Sequence, residues 1–227
     1  GIGDRIGETG HKLISGSIVD KSGKPLEVEQ LSLLLSDRAC DGYIVVANWT
    51  RLVREALGEQ QPPMVFLFGA SLRELYTPLV QCDTDAGVRH AVRIFASSGI
   101  KKIALINAVG DQNDGTGYRR VYEREMEDCG LSYRDNANIA LPWNKADVDP
   151  ELYQLLSGPN RPDAVYVSDD HLVSGVAKQA ARCGLKIGKD LAVICLANRG
   201  SSLVADSEIR WSKLEYDPNM LGRMVVD

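Results

Sequence analysis

Residues 162–196, PDAVYVSDDHLVSGVAKQAARCGLKIGKDLAVICL, decide the fold. Ala164-Val165-Tyr166-Val167 is short, apolar and rich in β-branched side chains, which predicts a strand. It runs into Ser168-Asp169-Asp170, residue types able to cap a helix N-terminus. From there the apolar residues fall at Leu172, Val173, Val176, Ala177 and Ala180, a helical stripe of small side chains suited to lying on a sheet. Gly184 is placed to stop that helix in the left-handed conformation. Residues 191–196 are unbroken apolar, the pattern of a strand covered on both faces. Strand, crossover helix and second strand of this length make a parallel, right-handed βαβ unit. Ligands of such units sit outside the carboxyl ends of the strands. Ser168, Asp169 and Asp170, and separately Ala197 and Asn198, are therefore expected at the mouth of a crevice.

The same alternation extends over the rest of the chain. Strands are expected at residues 43–47, 64–68, 79–82, 102–107 and 139–143, with a further candidate at 12–19. Helices are expected at 27–38, 51–57, 86–98, 118–128 and 149–156, with Asp83-Thr84-Asp85 able to cap the third and Gly99 and Gly130 placed as stops. A polar loop spans 110–117. Past Leu196 the chain reads as irregular and polar, anchored by Trp211 and Leu214, and residues 221–227 read as a helix cut off midway. With Gly rather than Met at residue 1, a fragment is expected. Repeated strand–helix order means an α/β fold, parallel sheets with helices on both faces.

Composition excludes several function classes. The net charge is −5 and no basic run is present, so the chain offers no electrostatic footing for DNA by itself. Cys40, Cys82, Cys129, Cys183 and Cys195 are odd in number, scattered and without a CxxC pair, which favours free thiols in a reducing cytoplasm. No apolar run approaches the roughly 18 residues of a membrane span. His11, His90 and His171 stand apart, with no HxxxH or HExxH, so no metal and no cofactor is expected. There is no GxSxG elbow, and neither Gly1-Ile2-Gly3 nor Gly115-Thr116-Gly117 extends to a phosphate-binding glycine loop. What remains at the expected strand ends is polar and aromatic: Asn48, Trp49, Asp83, Thr84, Asn107, the stretch 112–114, Trp143, Asp169 and Asn198. Amides and carboxylates to bond hydroxyls, with aromatics to stack, suit a small polar ligand.

Several of these stretches resemble the LacI/GalR family. VQCDTDAGVRHAVRIFASSGIKKIALI resembles its pattern of strand, Asp, short polar loop, helix and "G-h-x-x-I-A", with h an apolar residue. PDAVYVSDDHLVSGVAKQAARCGLKIGKDLAVICL is similar to its "P-x-A-h-h-x-x-N/S-D-x-x-A-x-G" run and the strand that follows. LLLSDRACDGYIVV is similar to "V-D-G-I-I", and GIGDRIGETGHKLI fits the helix after the family's first strand. The likeness runs through nearly all 227 residues in the right order.

It implies a two-lobed, type I periplasmic-binding-protein-like fold. Residues 1–100 and 215–227 would form the N-terminal lobe, its first strand missing, and 101–214 the C-terminal lobe. The implied function is ligand sensing and homodimerisation in a cytoplasmic transcriptional regulator. A small polar, sugar-like effector would bind between the lobes and modulate operator-DNA binding through a helix-turn-helix outside this chain. Carried over residue by residue, the effector-binding positions are Thr84, Asp114, Tyr118, Trp143, Asp169 and Asn198, with Trp143 the stacking aromatic and Asp170 a cap. Two positions depart from the pattern: Tyr118 stands where the family often has Arg, and Ala197 where it commonly has Asp. A periplasmic solute-binding protein of a sugar transporter shares the fold and is the alternative. An α/β enzyme using the same crevice is a third, with no catalytic motif behind it.

Overall fold

The computed structural model describes residues 1–21, 24–36, 40–46, 50–59, 62–68, 78–109, 116–133, 137–142, 149–205 and 209–227. In chain order the elements are α1 (Ile2–Glu8), α2 (Val28–Ser36), β1 (Tyr43–Val46), α3 (Thr50–Leu57), β2 (Met64–Leu67), β3 (Leu79–Val80), α4 (Thr84–Ser97), β4 (Ile103–Val109) and α5 (Thr116–Asp128). They continue with β5 (Asn138–Pro142), α6 (Pro150–Ser157), β6 (Ala164–Val167), α7 (Val173–Arg182), β7 (Ala192–Asn198), α8 (Ser202–Ala205), β8 (Ser212–Tyr216) and α9 (Pro218–Met224). The chain divides into two compact units, Gly1–Cys82 with Asp217–Asp227, and Asp83–Tyr216.

The second unit carries the deciding βαβ stretch. Its five strands are all parallel, in the order β5-β4-β6-β7-β8. The unbroken apolar strands feed two cores, as burial on both faces requires. On one face Ala104, Ile106, Val165, Val167, Val193 and Cys195 pack with Leu152 and Leu156 of α6 and Val173, Val176 and Ala180 of α7. On the other, Ile103, Leu105, Tyr166 and Ile194 pack with Val88, Val92 and Phe95 of α4 and Tyr122 and Met126 of α5. The Tyr122 hydroxyl, fully buried, donates to the Ile103 carbonyl at 2.7 Å, so its one polar atom is satisfied inside that core. Asp83 caps α4 by accepting from the Ala86 N–H at 2.8 Å. Gly99, Gly130 and Gly184 end α4, α5 and α7 at φ +79°, +67° and +72°, where a side chain is strained.

The first unit has a three-stranded parallel sheet, β1-β2-β3, packed through Val45, Met64 and Phe66 on Leu31 of α2 and Val53 of α3. Helices α1 and α9 also belong to it and lie together. A Cβ added at Gly222 would stand 2.9 Å from the Ile2 backbone nitrogen, so the approach depends on glycine.

Several expectations change. Residues 11–17 are exposed and form no strand; among the described residues the run pairs with no strand, and Val19 makes an isolated bridge to Pro25. The tail after Leu196 is not irregular: β7 continues to Asn198, β8 pairs parallel to it, and α9 is capped by Asp217. The sequence hid β8 because it is an edge strand, SKLEY, with Lys213 and Glu215 paired across 3.0 Å instead of an apolar run. Residues 84–97, placed in the N-terminal lobe on sequence, pack within the second unit as α4.

Candidate functional site

In the second unit β4 passes to β5 on one side, and the chain then returns to β6 on the other. Strand order therefore reverses between β4 and β6, the point where ligands of open parallel sheets gather at the carboxyl edge. The polar side chains of that edge come from three strand ends. Ser168 follows β6; its N–H donates to the Ile106 carbonyl at 2.9 Å and its Oγ accepts from the Ala108 N–H at 3.0 Å, closing the end of β6 onto β4. Asp169 is the cap of the short 3₁₀ turn Asp170–Leu172 and accepts from the His171 N–H at 2.9 Å. The cap is thus Asp169, and not Asp170 as expected.

Asp170 is buried, and its Oδ2 accepts from the Asn198 N–H at 3.2 Å, tying the ends of β6 and β7 together. The exposed His171 ring brings Nδ1 within 2.9 Å of Asp169 Oδ1 and 3.3 Å of Asp170 Oδ1. These three residues could each offer a metal one atom, all within 4.8 Å, yet both carboxylates already accept backbone N–H groups, Asp169 from His171 and Asp170 from Asn198. Burial, reinforced by the Asp170 charge, pushes the Cys195 thiol up to about 12. That keeps it protonated and unreactive at neutral pH.

Strand parity assigns the remaining side chains. Ala197 shares the face of Val193 and Cys195 and is buried in the α6–α7 core. Asn198, one residue on, has the parity of Ile194 and Leu196 and therefore belongs to the α4–α5 face. Asn107 follows Ile103 and Leu105 on that same face. It is fully buried, and neither its Oδ1 nor its Nδ2 has a hydrogen-bond partner among the described residues. Thr84 opens α4 and Tyr118 lies in the first turn of α5, both helices running back from the carboxyl edge of the sheet. Tyr118 is half-buried and packs against the α4–α5 core.

Of the six sequence-derived positions, the second unit thus places Thr84, Tyr118 and Asn198 on the α4–α5 side of one sheet edge, with Asp169 at the end of β6. Asp114 and Trp143 lie outside the described residues. Asn107 stood in the wider polar set, but its buried, unpartnered state is a property of packing that no motif carries. The edge is equipped to hold hydroxyls and amides. Ser168 is committed to a backbone N–H and Cys195 is held protonated, so neither is set up as a nucleophile.

Residues 92–227 match the family model described as a periplasmic binding protein-like domain. The chain is 25% identical over 168 residues to the HTH-type transcriptional repressor PurR of Serratia proteamaculans, covering 71% of this chain and 48% of that protein. It thus spans about half the length of the PurR repressors it matches. A regulatory protein of the LacI family from Chloroflexus aggregans superposes with a TM-score of 0.79 at 19% identity, covering 98% of this chain and 78% of that one. The transcriptional regulator CelR in complex with cellobiose gives 0.80 at 18% identity, covering 99% and 67%. The chain belongs to the periplasmic binding protein-like domain family.

Proposed function

We propose that this chain senses a small polar, sugar-like effector for a LacI/GalR-type transcriptional regulator, as a cytoplasmic homodimer, and reports to operator DNA through a helix-turn-helix outside these residues. The observation that carries the reading is the polar carboxyl edge of the second sheet, where Asn107, Ser168, Asp169 and Asn198 gather at the strand-order reversal. PurR, named as a repressor, and CelR, named with cellobiose, support a regulatory role and a carbohydrate class of ligand. In this reading Asp169 and Asn198 bond ligand hydroxyls, Thr84 and Asp114 approach from their loops, and Trp143 stacks on the ligand, with Tyr118 lining the α5 side. Effector binding shifts the arrangement of the two lobes. Operator affinity changes only as far as the ligand binds one arrangement better than the other. The role is taken as binding rather than catalysis, in line with the repressor and regulator names of the relatives.

A thermal-shift screen against sugars, polyols, sugar acids and nucleobases tests this. One chemical class is expected to stabilise the chain progressively, by about 2.7 kcal/mol at a hundredfold excess over Kd. Trp143→Ala and Asn198→Ala are expected to weaken that response without unfolding the domain. Silence across the panel, or a response indifferent to both variants, overturns the proposal.

A further inference from the structure

Helices α4 and α5 pack side by side on one face of the second sheet, and between them lies a groove of about 590 Å³. Its walls carry four guanidinium groups. Arg89 and Arg93 stand one turn apart on α4, and Arg120 and Arg124 one turn apart on α5. Like charges four residues apart on a helix destabilise it, and here two such pairs share a groove in a chain of net charge −5.

Four carboxylates, Asp83, Asp85, Glu125 and Asp128, match the four guanidinium groups in number, but few of them pair closely. Glu125, buried, accepts from Arg93 Nε and from Nη2, the latter at 3.3 Å, and so holds that guanidinium from below. Arg93 itself remains 61% exposed, and its Nη1 has no acceptor among the described residues. Arg124 meets Asp128 only at 4.0 Å, and Arg89 meets Asp83 only at 3.6 Å. Arg120 has no ion-pair partner among the described residues, and Asp85 lies exposed in the first turn of α4. The result is one guanidinium fixed by a buried partner and three loosely held ones around it. The groove's volume suits a metabolite-sized ligand. Planar guanidinium forks match phosphate oxygens two at a time.

We propose that the α4–α5 groove is an anion site for a small phosphate-bearing molecule, with Arg93 as its fixed anchor and Arg120 and Arg124 closing on the phosphate. It uses none of the residues of the polar sheet edge, so it stands or falls independently of the effector reading.

The test is an NMR titration of the chain with inorganic phosphate, pyrophosphate and glycerol 3-phosphate at constant ionic strength, with chloride as the control anion. Saturable shifts are expected at α4 and α5 for at least one of the three. Binding of inorganic phosphate would mark a general phosphate site, and binding of glycerol 3-phosphate alone an ester site. Arg120→Gln with Arg124→Gln is expected to weaken that binding about tenfold or more while leaving the melting temperature intact, since both side chains are exposed. Arg124→Lys, which keeps the charge and loses the fork, is expected to fall in between. No saturation up to about 10 mM, well beyond a millimolar Kd, overturns the proposal. Equal affinity in the Arg120/Arg124 double variant overturns it as well.

Discussion

Asn107→Val is the sharpest perturbation the second unit offers. Asn107 lies in β4, is fully buried, and carries a side-chain carbonyl and an amide with no hydrogen-bond partner among the described residues. A buried polar group left unsatisfied costs about 1–3 kcal/mol, and valine removes both such atoms at slightly larger volume. The strand position favours a β-branched residue as well. Extra volume opposes the change, because overpacking a dense core carries its own penalty. With the site next to the carboxyl edge of the sheet, we take the polar term to dominate. Asn107→Val is then predicted to stabilise the unit by about 1–3 kcal/mol, or roughly 3–9 °C in melting temperature for a domain of this size. Urea denaturation read by circular dichroism measures this, and effector response in the same variant is expected to fall. A loss of stability of 1 kcal/mol or more (about the value of one hydrogen bond) would refute the reasoning. The amide would then hold a buried water or another partner in solution.

Three further predictions rest on separate contacts. Asp170→Ala removes the acceptor of the Asn198 N–H and is predicted to cost about 1–3 kcal/mol by chemical denaturation; an unchanged midpoint would show that water replaces the carboxylate without loss. Gly87→Ala places a methyl 2.7 Å from the hydroxyl of buried Tyr166, which must shift, and is predicted to cost about 1–3 kcal/mol; a neutral result would mean that α4 slides freely on the sheet. Cys195 has its folded pKa raised from 9.0 to about 12, so above pH 9 the unfolded chain ionises first and stability is lost as pH rises toward 12. The decline is predicted at up to about 1.4 kcal/mol per pH unit in that window and absent from the curve of Cys195→Ala, and parallel curves for the two proteins would contradict it.

The parts of this fold legible in the sequence are those where burial is total. Strand β6 (Ala164–Val167) and the helix ending at Gly184 follow from apolar runs and a left-handed stop, and the structure places both as read. Strand β8 was not legible, because an edge strand needs polar side chains on its open side and so loses the apolar signature. Residues 12–19 failed in the opposite sense: Leu13 and Ile14 give a strand-like pattern, but pairing depends on a neighbour, and both remain about half exposed. Position 84–97 in one unit or the other depends on packing between segments distant in sequence, which local periodicity does not encode. At the site the sequence supplied the polar residue types, whereas the unpaired state of Asn107 exists only once β4 is covered on both faces.

Neighbouring residues with the same chemistry also divide their work only in three dimensions. Asp169 and Asp170 are interchangeable in a motif, yet one caps a turn beside solvent and the other crosses, buried, to the end of β7. Ala197 and Asn198 show the converse, with parity fixing the outcome. A carboxylate at 197, where the family pattern commonly has one, would enter an apolar layer in which Ala197 is 1% exposed, at a cost no neighbour there offsets. The methyl therefore completes the α6–α7 core up to the strand end, and Asp170 supplies the carboxylate that the strand end lacks. It does so from the turn after β6, accepting from the Asn198 N–H and, at 3.5 Å, from the Asn198 Nδ2. Polar contact with a ligand from β7 must then come through the Asn198 side chain, which faces the α4–α5 side with Asn107. A neutral, sugar-like ligand bonded by Asn198 and Asp169 carries no net charge for salt to screen. Its recognition should therefore vary little with salt, unlike the anion binding proposed for the arginine groove between α4 and α5.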